Sequence, residues 1–194
     1  MPASSVGRVV VPFGDVSIVW TMSSFPPGMS VELLLIRHGE SAANVGLSTE
    51  PDCSLTEHGL EQTRHVAQRL LALNLAGFTG LVSPYCRAQQ TAAEITRLTG
   101  LPFTIDDNIR EWASAATING RHYPAETGQE LIDRLRAFLR QYDGRQLIAI
   151  SHAAPIAFLT QLAWNELPIT EGPFWTGVPN GCLRWLKMTA GCRQ

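Results

Sequence analysis

What this sequence lacks narrows its function before any motif is considered. No apolar run approaches the roughly 18 residues needed to span a bilayer, so no membrane-crossing helix and no membrane partner is expected. Positive charge is not in surplus: 15 Lys and Arg stand against 17 Asp and Glu, for a net charge of -2. A dedicated nucleic-acid binder shows a basic stripe, so nucleic acid is not an expected partner. An anionic small substrate is still allowed, because a phosphate site needs only a few local cations. The four cysteines, Cys53, Cys86, Cys182 and Cys192, lack the paired short spacing of a zinc site. Free thiols in a reducing cytoplasm are the simplest reading. There is no internal repeat and no low-complexity tract. What remains is an ordinary folded composition, 45% hydrophobic and 16% charged, on a chain of a length that suits one domain.

The first thirty residues stand apart. Val9-Val10-Val11 is interrupted by Pro12 and Asp15, too broken for a signal peptide. Pro26-Pro27-Gly28 reads as a linker, and Met29 stands just before the first strong strand. The expected division is an N-terminal extension over 1–30, poorly ordered or a small hairpin of Arg8–Val11 and Val16–Trp20, followed by a catalytic domain over 31–194.

Beyond the extension, strands and helices alternate. Glu32–Ile36 is a nearly continuous apolar run, the pattern of a strand buried on both faces. Thr56 is placed to cap a helix running to about Asn74, with Leu60, Thr63, Ala67, Leu70 and Leu71 at helical spacing. Leu81–Ser83 is a short strand ended by Pro84. A helix from about Arg87 to Thr99 stops at Gly100 and Pro102. Phe103–Asp106 is a peripheral strand. Gln129–Tyr142 is a helix whose apolar face is Leu131, Leu135, Phe138 and Leu139. Gln146–Ser151 is a buried strand, and a helix over Ala154–Trp164 tolerates Pro155 in its first turn. Cys182–Met188 is a last strand. The alternation predicts an α/β protein, a three-layer α/β/α sandwich with a mainly parallel sheet.

Three reactive segments each follow a strand: Arg37-His38-Gly39-Glu40, Arg87, and His152. In an open α/β sheet ligands bind outside the carboxyl ends of the strands, so all three can converge there. Two guanidiniums match phosphate oxygens in bidentate fashion. Two imidazoles add donors or a nucleophile. Gly39 removes a side chain beside His38, allowing close approach of backbone and ligand. Helices begin just after Arg87 and His152, and a helix N-terminus favours an anion. A nucleophilic His38 must be neutral, its other nitrogen donating to an acceptor such as a backbone carbonyl. His152 can remain protonated beside a phosphate dianion, since a nearby opposite charge raises a histidine pKa. Glu111 is the candidate acid and base, with Asp106, Asp107 and Glu126 as rivals.

The segments Leu34–Ser41, Ser83–Ala92 and Ser151–Ala153 resemble the signature blocks of the histidine phosphatase superfamily, which includes the cofactor-dependent phosphoglycerate mutases. Leu55–Gly59, Asn44 and Gly128–Leu131 match lesser landmarks in the right order, so the resemblance covers about Val31 to Trp185. It implies His38 as nucleophile, with Arg37, Arg87 and His152 holding phosphate and no metal or other cofactor required. It also implies Glu111 as acid in the mutase-like branch, and Asn44 as a phosphate contact. Only the short stretch Trp112–Thr127 stands where the mutases carry a long insertion. That leaves an open site and favours water as acceptor, hence a phosphatase of phosphomonoesters. The alternatives are a phosphoglycerate mutase, a phosphoprotein (phosphohistidine) phosphatase with a regulatory role, and a silent phosphate-binding module. A phosphorylated small molecule is the expected partner, a phosphoprotein the second; oligomeric state is left open.

Several residues also have plainer readings. Asn44 can be a turn residue beside Gly46, Arg87 a solvated first-turn residue, and His152 a satisfied strand-end histidine. Arg121 and His122 read as solvated loop, His58 and His65 as exposed helix positions. Trp112, Trp164, Trp175 and Trp185 read as packing residues, and Phe174-Trp175 can line the pocket mouth.

Overall fold

The computed structural model describes residues 9–10, 17–21, 28–112, 115–164 and 178–189. A seven-stranded sheet runs through the middle, in the order β1 (Val9–Val10), β2 (Ser17–Thr21), β9 (Leu183–Thr189), β3 (Ser30–Arg37), β8 (Gln146–Ser151), β4 (Phe78–Val82), β5 (Phe103–Ile105). Pairing is parallel for β2–β9, β3–β8, β4–β8 and β4–β5, and antiparallel for β1–β2 and β3–β9. The sheet is therefore mainly parallel, and a strand pair from the first thirty residues extends its edge.

Alternation along β3 shows why there are three layers. Leu33 and Leu35 pack into one core with the helices α3 (Gly128–Gln141) and α4 (Ala153–Trp164). Leu34 and Ile36 pack into a second core with α1 (Glu57–Leu71) and α2 (Cys86–Thr99). All four leucine and isoleucine side chains are fully buried, as expected for a strand covered on both faces.

The helices start where their caps dictate. Thr56 Oγ1 accepts from the Gly59 N–H at 3.0 Å, and Thr127 with Glu130 forms a reciprocal capping box on α3. Gly100 closes α2 in the left-handed region at φ 76°. The apolar face of α3 is as expected, but that of α1 is rotated: Val66 is buried, whereas Leu71 is 61% exposed.

The stretch after Trp112 is not a plain loop. Ala116–Ile118 (β6) and Arg121–Tyr123 (β7) pair antiparallel around Asn119-Gly120, both at positive φ. Ala116, Ile118 and Tyr123 close on Tyr85 in a small separate core. Arg121 pairs with Asp107, and Tyr123 Oη donates to Asp107 at 2.7 Å. Arg121 thus secures the hairpin, whereas His122 is exposed.

Trp112 and Trp185 pack against Phe158 and Phe78, respectively. His58 and His65 are exposed on α1. The side chain of Trp164, the pair Phe174-Trp175 and Cys192 lie outside the described residues; Cys53, Cys86 and Cys182 are free thiols. Among the described residues no helix is long and apolar enough to cross a membrane.

Candidate active site

Strand polarity brings the reactive segments to one edge. β3, β4 and β8 run parallel and end at Arg37, Val82 and Ser151. His38, Ser83 and His152 therefore emerge side by side. β9 runs antiparallel to β3, so the segment entering it, Val178–Cys182, reaches the same edge. Gly181 N–H bridges the carbonyls of Arg37 and His38, both at 3.2 Å, and Arg37 donates to the Val178 carbonyl.

Close backbone packing makes the turn after β3 possible. A Cβ on Gly39 would lie 2.2 Å from the Gly59 carbonyl oxygen, and a Cβ on Gly59 would lie 2.0 Å from the Glu40 carbonyl oxygen. What approaches Gly39 is thus the first turn of α1. Thr91 Oγ1 accepts from Gly39 N–H at 3.2 Å.

His38 is 2% exposed. Its Nδ1 lies 2.7 Å from the Gly39 carbonyl oxygen; a carbonyl can only accept, so Nδ1 carries the proton. Nε2 is left with a lone pair, toward which Arg87 Nε donates at 3.1 Å. Burial, then the Arg87 charge, lowers the His38 pKa to about 3. Arg87 is further held by the Pro51 carbonyl at 2.8 Å and lies 4.5 Å from the Tyr85 ring centroid. It is 8% exposed, not a solvated first-turn residue.

His152 is fully buried, its ring 5.0 Å from that of His38. Nε2 lies 2.7 Å from Ser83 Oγ, and Nδ1 has no hydrogen-bond partner. Burial, Arg87, His38 and Arg37 push its pKa well below the usual histidine value. Burial among cations thus favours a neutral His152 here; the protonated form is the expectation beside a phosphate dianion, whose charge acts in the opposite direction.

Glu111 joins the group. Its Oε2 lies 3.8 Å from His152 Nδ1, and Oε1 accepts from Trp112 N–H at 2.9 Å. Burial raises its pKa against the lowering effect of Arg87. The rival carboxylates are engaged elsewhere. Asp106 accepts from Asn108 N–H and Tyr142 Oη. Asp107 holds the hairpin. Glu126 is clasped by Arg110 and Arg134.

Both helix N-termini at the site face protein carboxylates. Asp52 accepts from Cys86 N–H at 2.6 Å on α2, and Glu111 sits near the Ala154 N–H of α4. Anions at both N-termini are thus supplied by the chain itself. Asn44 lies exposed at the rim. Its Oδ1 accepts from Ser41 N–H at 3.0 Å and from Asn180 Nδ2 at 3.0 Å, so it holds the turn while standing beside the pocket.

Sequence reasoning missed Ser83, Tyr85 and Asn180. The first two lie inside the Ser83–Ala92 block, where Arg87 drew the attention. Asn180, which also donates to the His38 and Gly39 carbonyls at 3.2 and 3.3 Å, lies in a Pro/Gly-rich turn without a local signal. Among the described residues no group of three or more His, Cys, Asp or Glu side chains is placed to hold a metal ion.

Comparison with known proteins places the chain in a family. The model of the histidine phosphatase superfamily (branch 1) matches residues 33–129. A probable phosphatase of Schizosaccharomyces pombe is 28% identical over 154 residues, covering 65% of this chain and 54% of the yeast protein; the match thus spans about half of that relative. A probable phosphoglycerate mutase of Citrobacter koseri is 27% identical over 171 residues, covering 70% of this chain and 78% of the other. The solved structure of a mycobacterial hydrolase superposes with a TM-score of 0.60 at 19% identity, over 85% of this chain and all of that one, a likeness of fold.

Proposed function

Since the chain belongs to branch 1 of the histidine phosphatase superfamily, we propose that it hydrolyses phosphomonoesters through a phosphohistidine formed on His38, without a metal. The observation that carries this reading is the pairing of Nδ1–H with the Gly39 carbonyl, which leaves Nε2 as a lone pair in a pocket of guanidiniums. Arg37, Arg87 and His152 hold the phosphoryl oxygens. Substrate oxygens displace the Arg87 Nε–H from Nε2, freeing the lone pair to attack phosphorus. As the ester P–O bond breaks, Glu111 gives its proton to the leaving oxygen. The resulting carboxylate then takes a proton from water, whose oxygen attacks the phosphohistidine and restores neutral His38.

The catalytic domain of this reading is 31–194, and the substrate class is a phosphorylated small molecule. A mutase activity is the second reading, favoured by the likeness to the Citrobacter mutase over most of both chains. The hairpin β6–β7 is compact, occupying the stretch where a larger insertion would enclose a second phosphoacceptor. Hydrolysis is preferred on that ground.

The test is acid-quench trapping with a labelled activated phosphoester in the presence of chelator. Label in an acid-labile, base-stable bond, present in wild type and lost in His38→Ala, is the expected result. Turnover that depends on added metal, or label that persists in His38→Ala, overturns the reading. Labelled phosphoglycerate separates release from transfer.

A further inference from the structure

Ser83 has no part in that chemistry, yet it is fully buried and touches the second histidine. Its N–H donates to the Ile150 carbonyl at 3.0 Å, tying it to the strand that delivers His152. Pro84 follows and restricts Ser83 to extended backbone, which fixes the direction of its side chain. Ser83 Oγ then lies 2.7 Å from His152 Nε2. Tyr85 N–H is a long donor to the same oxygen at 3.5 Å, which leaves the hydroxyl proton free for the ring.

The other face of His152 has the opposite character. Nδ1 is buried without a hydrogen-bond partner, Glu111 Oε2 standing beyond hydrogen-bond reach at 3.8 Å, and Arg37 Nε is likewise without a partner. A buried donor without an acceptor is costly, and an anion entering the pocket would supply one. The unprotonated oxygens of a phosphoryl group accept hydrogen bonds, so the nitrogen turned toward them must carry a proton. With Arg37 and Arg87 already in the pocket, a neutral donor meets this need without burying another cation.

We propose that Ser83 is the positioning residue of His152: its hydroxyl donates to Nε2 and holds the neutral ring as the Nδ1–H tautomer, which donates to the bound phosphoryl group. This rests on the proposed phosphoryl chemistry of the same pocket. Free histidine prefers the Nε2–H form. Without Ser83 the proton moves to the buried side, and the Nδ1 lone pair faces the phosphoryl oxygens.

The test is nitrogen-15 NMR of the histidine rings, in the empty protein and with orthophosphate, for wild type, Ser83→Ala and Ser83→Thr. Wild type is expected to show His152 protonated at Nδ1 alone. Ser83→Ala is expected to move the proton to Nε2 and to lower kcat/KM by roughly tenfold, the scale of one buried hydrogen bond, with Ser83→Thr restoring both. A wild-type His152 protonated at Nε2, or at both nitrogens, overturns the proposal. So does a Ser83→Ala protein that keeps Nδ1–H. The NMR readout needs no turnover, so a failure of phosphohistidine trapping on His38 would refute the proposed reaction while the tautomer result stood by itself.

Discussion

Arg87 directs its Nε–H at Nε2 of His38 across 3.1 Å, the atom that attacks phosphorus in the proposed reaction. Because that nitrogen accepts, His38 is a neutral base in the resting pocket, and its pKa of about 3 agrees. Burial and this arginine together disfavour protonation of His38, and in the proposed reaction Arg87 would then move its hydrogen bond to the substrate.

Arg87→Lys is expected to lower kcat by about 10²–10³-fold, the scale of losing a preorganised donor. An ammonium cannot keep both the Pro51 carbonyl and a planar fork on phosphate. Steady-state kinetics on an aryl phosphate checks this; a variant within threefold of wild type would refute the assignment.

In the proposed reaction Glu111 should set the alkaline side of the pH profile. Burial raises its carboxyl pKa, so the proton donor is present below that pKa and lost as pH rises through it. Phosphorylation by a substrate with a poor leaving group should therefore decline with rising pH. Glu111→Gln should remove that limb and slow the step by roughly 10²–10⁴-fold. With an activated aryl phosphate, whose leaving group needs no proton, rapid-quench measurement should find the phosphorylation step little changed.

Acid stability follows from the same burial. A histidine held near pKa 3 in the folded chain, against 6.5 when exposed, makes the unfolded state bind more protons between those values. His38 thus contributes a loss of stability as pH falls from about 6.5 toward 3. His38→Asn should unfold at lower pH than wild type, with little difference above pH 7. Acid titration followed by circular dichroism tests the sign.

Gly59 is a structural requirement of the site. A Cβ there would lie 2.0 Å from the Glu40 carbonyl oxygen, so Gly59→Ala must push α1 from the His38 turn. A loss of roughly 1–3 kcal/mol is expected from such overpacking, with turnover reduced as well. Denaturant melts and kinetics would show both.

Much of this was legible in the chain. Local patterns carry the elements: the apolar run of β3, the cap Thr56, and Gly100 after α2 each act within a few residues. Arg37, His38, Arg87 and His152 could be named because each stands at or shortly after the carboxyl end of a strand. Less legible was whatever depends on a distant neighbour. Leu71 fits the helical spacing of α1 yet points away from the sheet, since spacing gives a face but not its edge. Asn119-Gly120 is itself a hairpin-turn signal, passed over because the flanking strands are only three residues each; Tyr85 and Asp107, distant in sequence, secure it.

Residue order by itself determined the family, the alternating architecture and the identity of the reactive side chains. Tertiary structure decided their states. It set the His38 tautomer through the Gly39 carbonyl, favoured a neutral His152 by burial among cations, and separated Glu111 from Asp106, Asp107 and Glu126 by giving each rival another partner. The physical reason is that strand order places segments from four parts of the chain at one edge. Burial and charge there depend on neighbours that no local stretch of sequence contains.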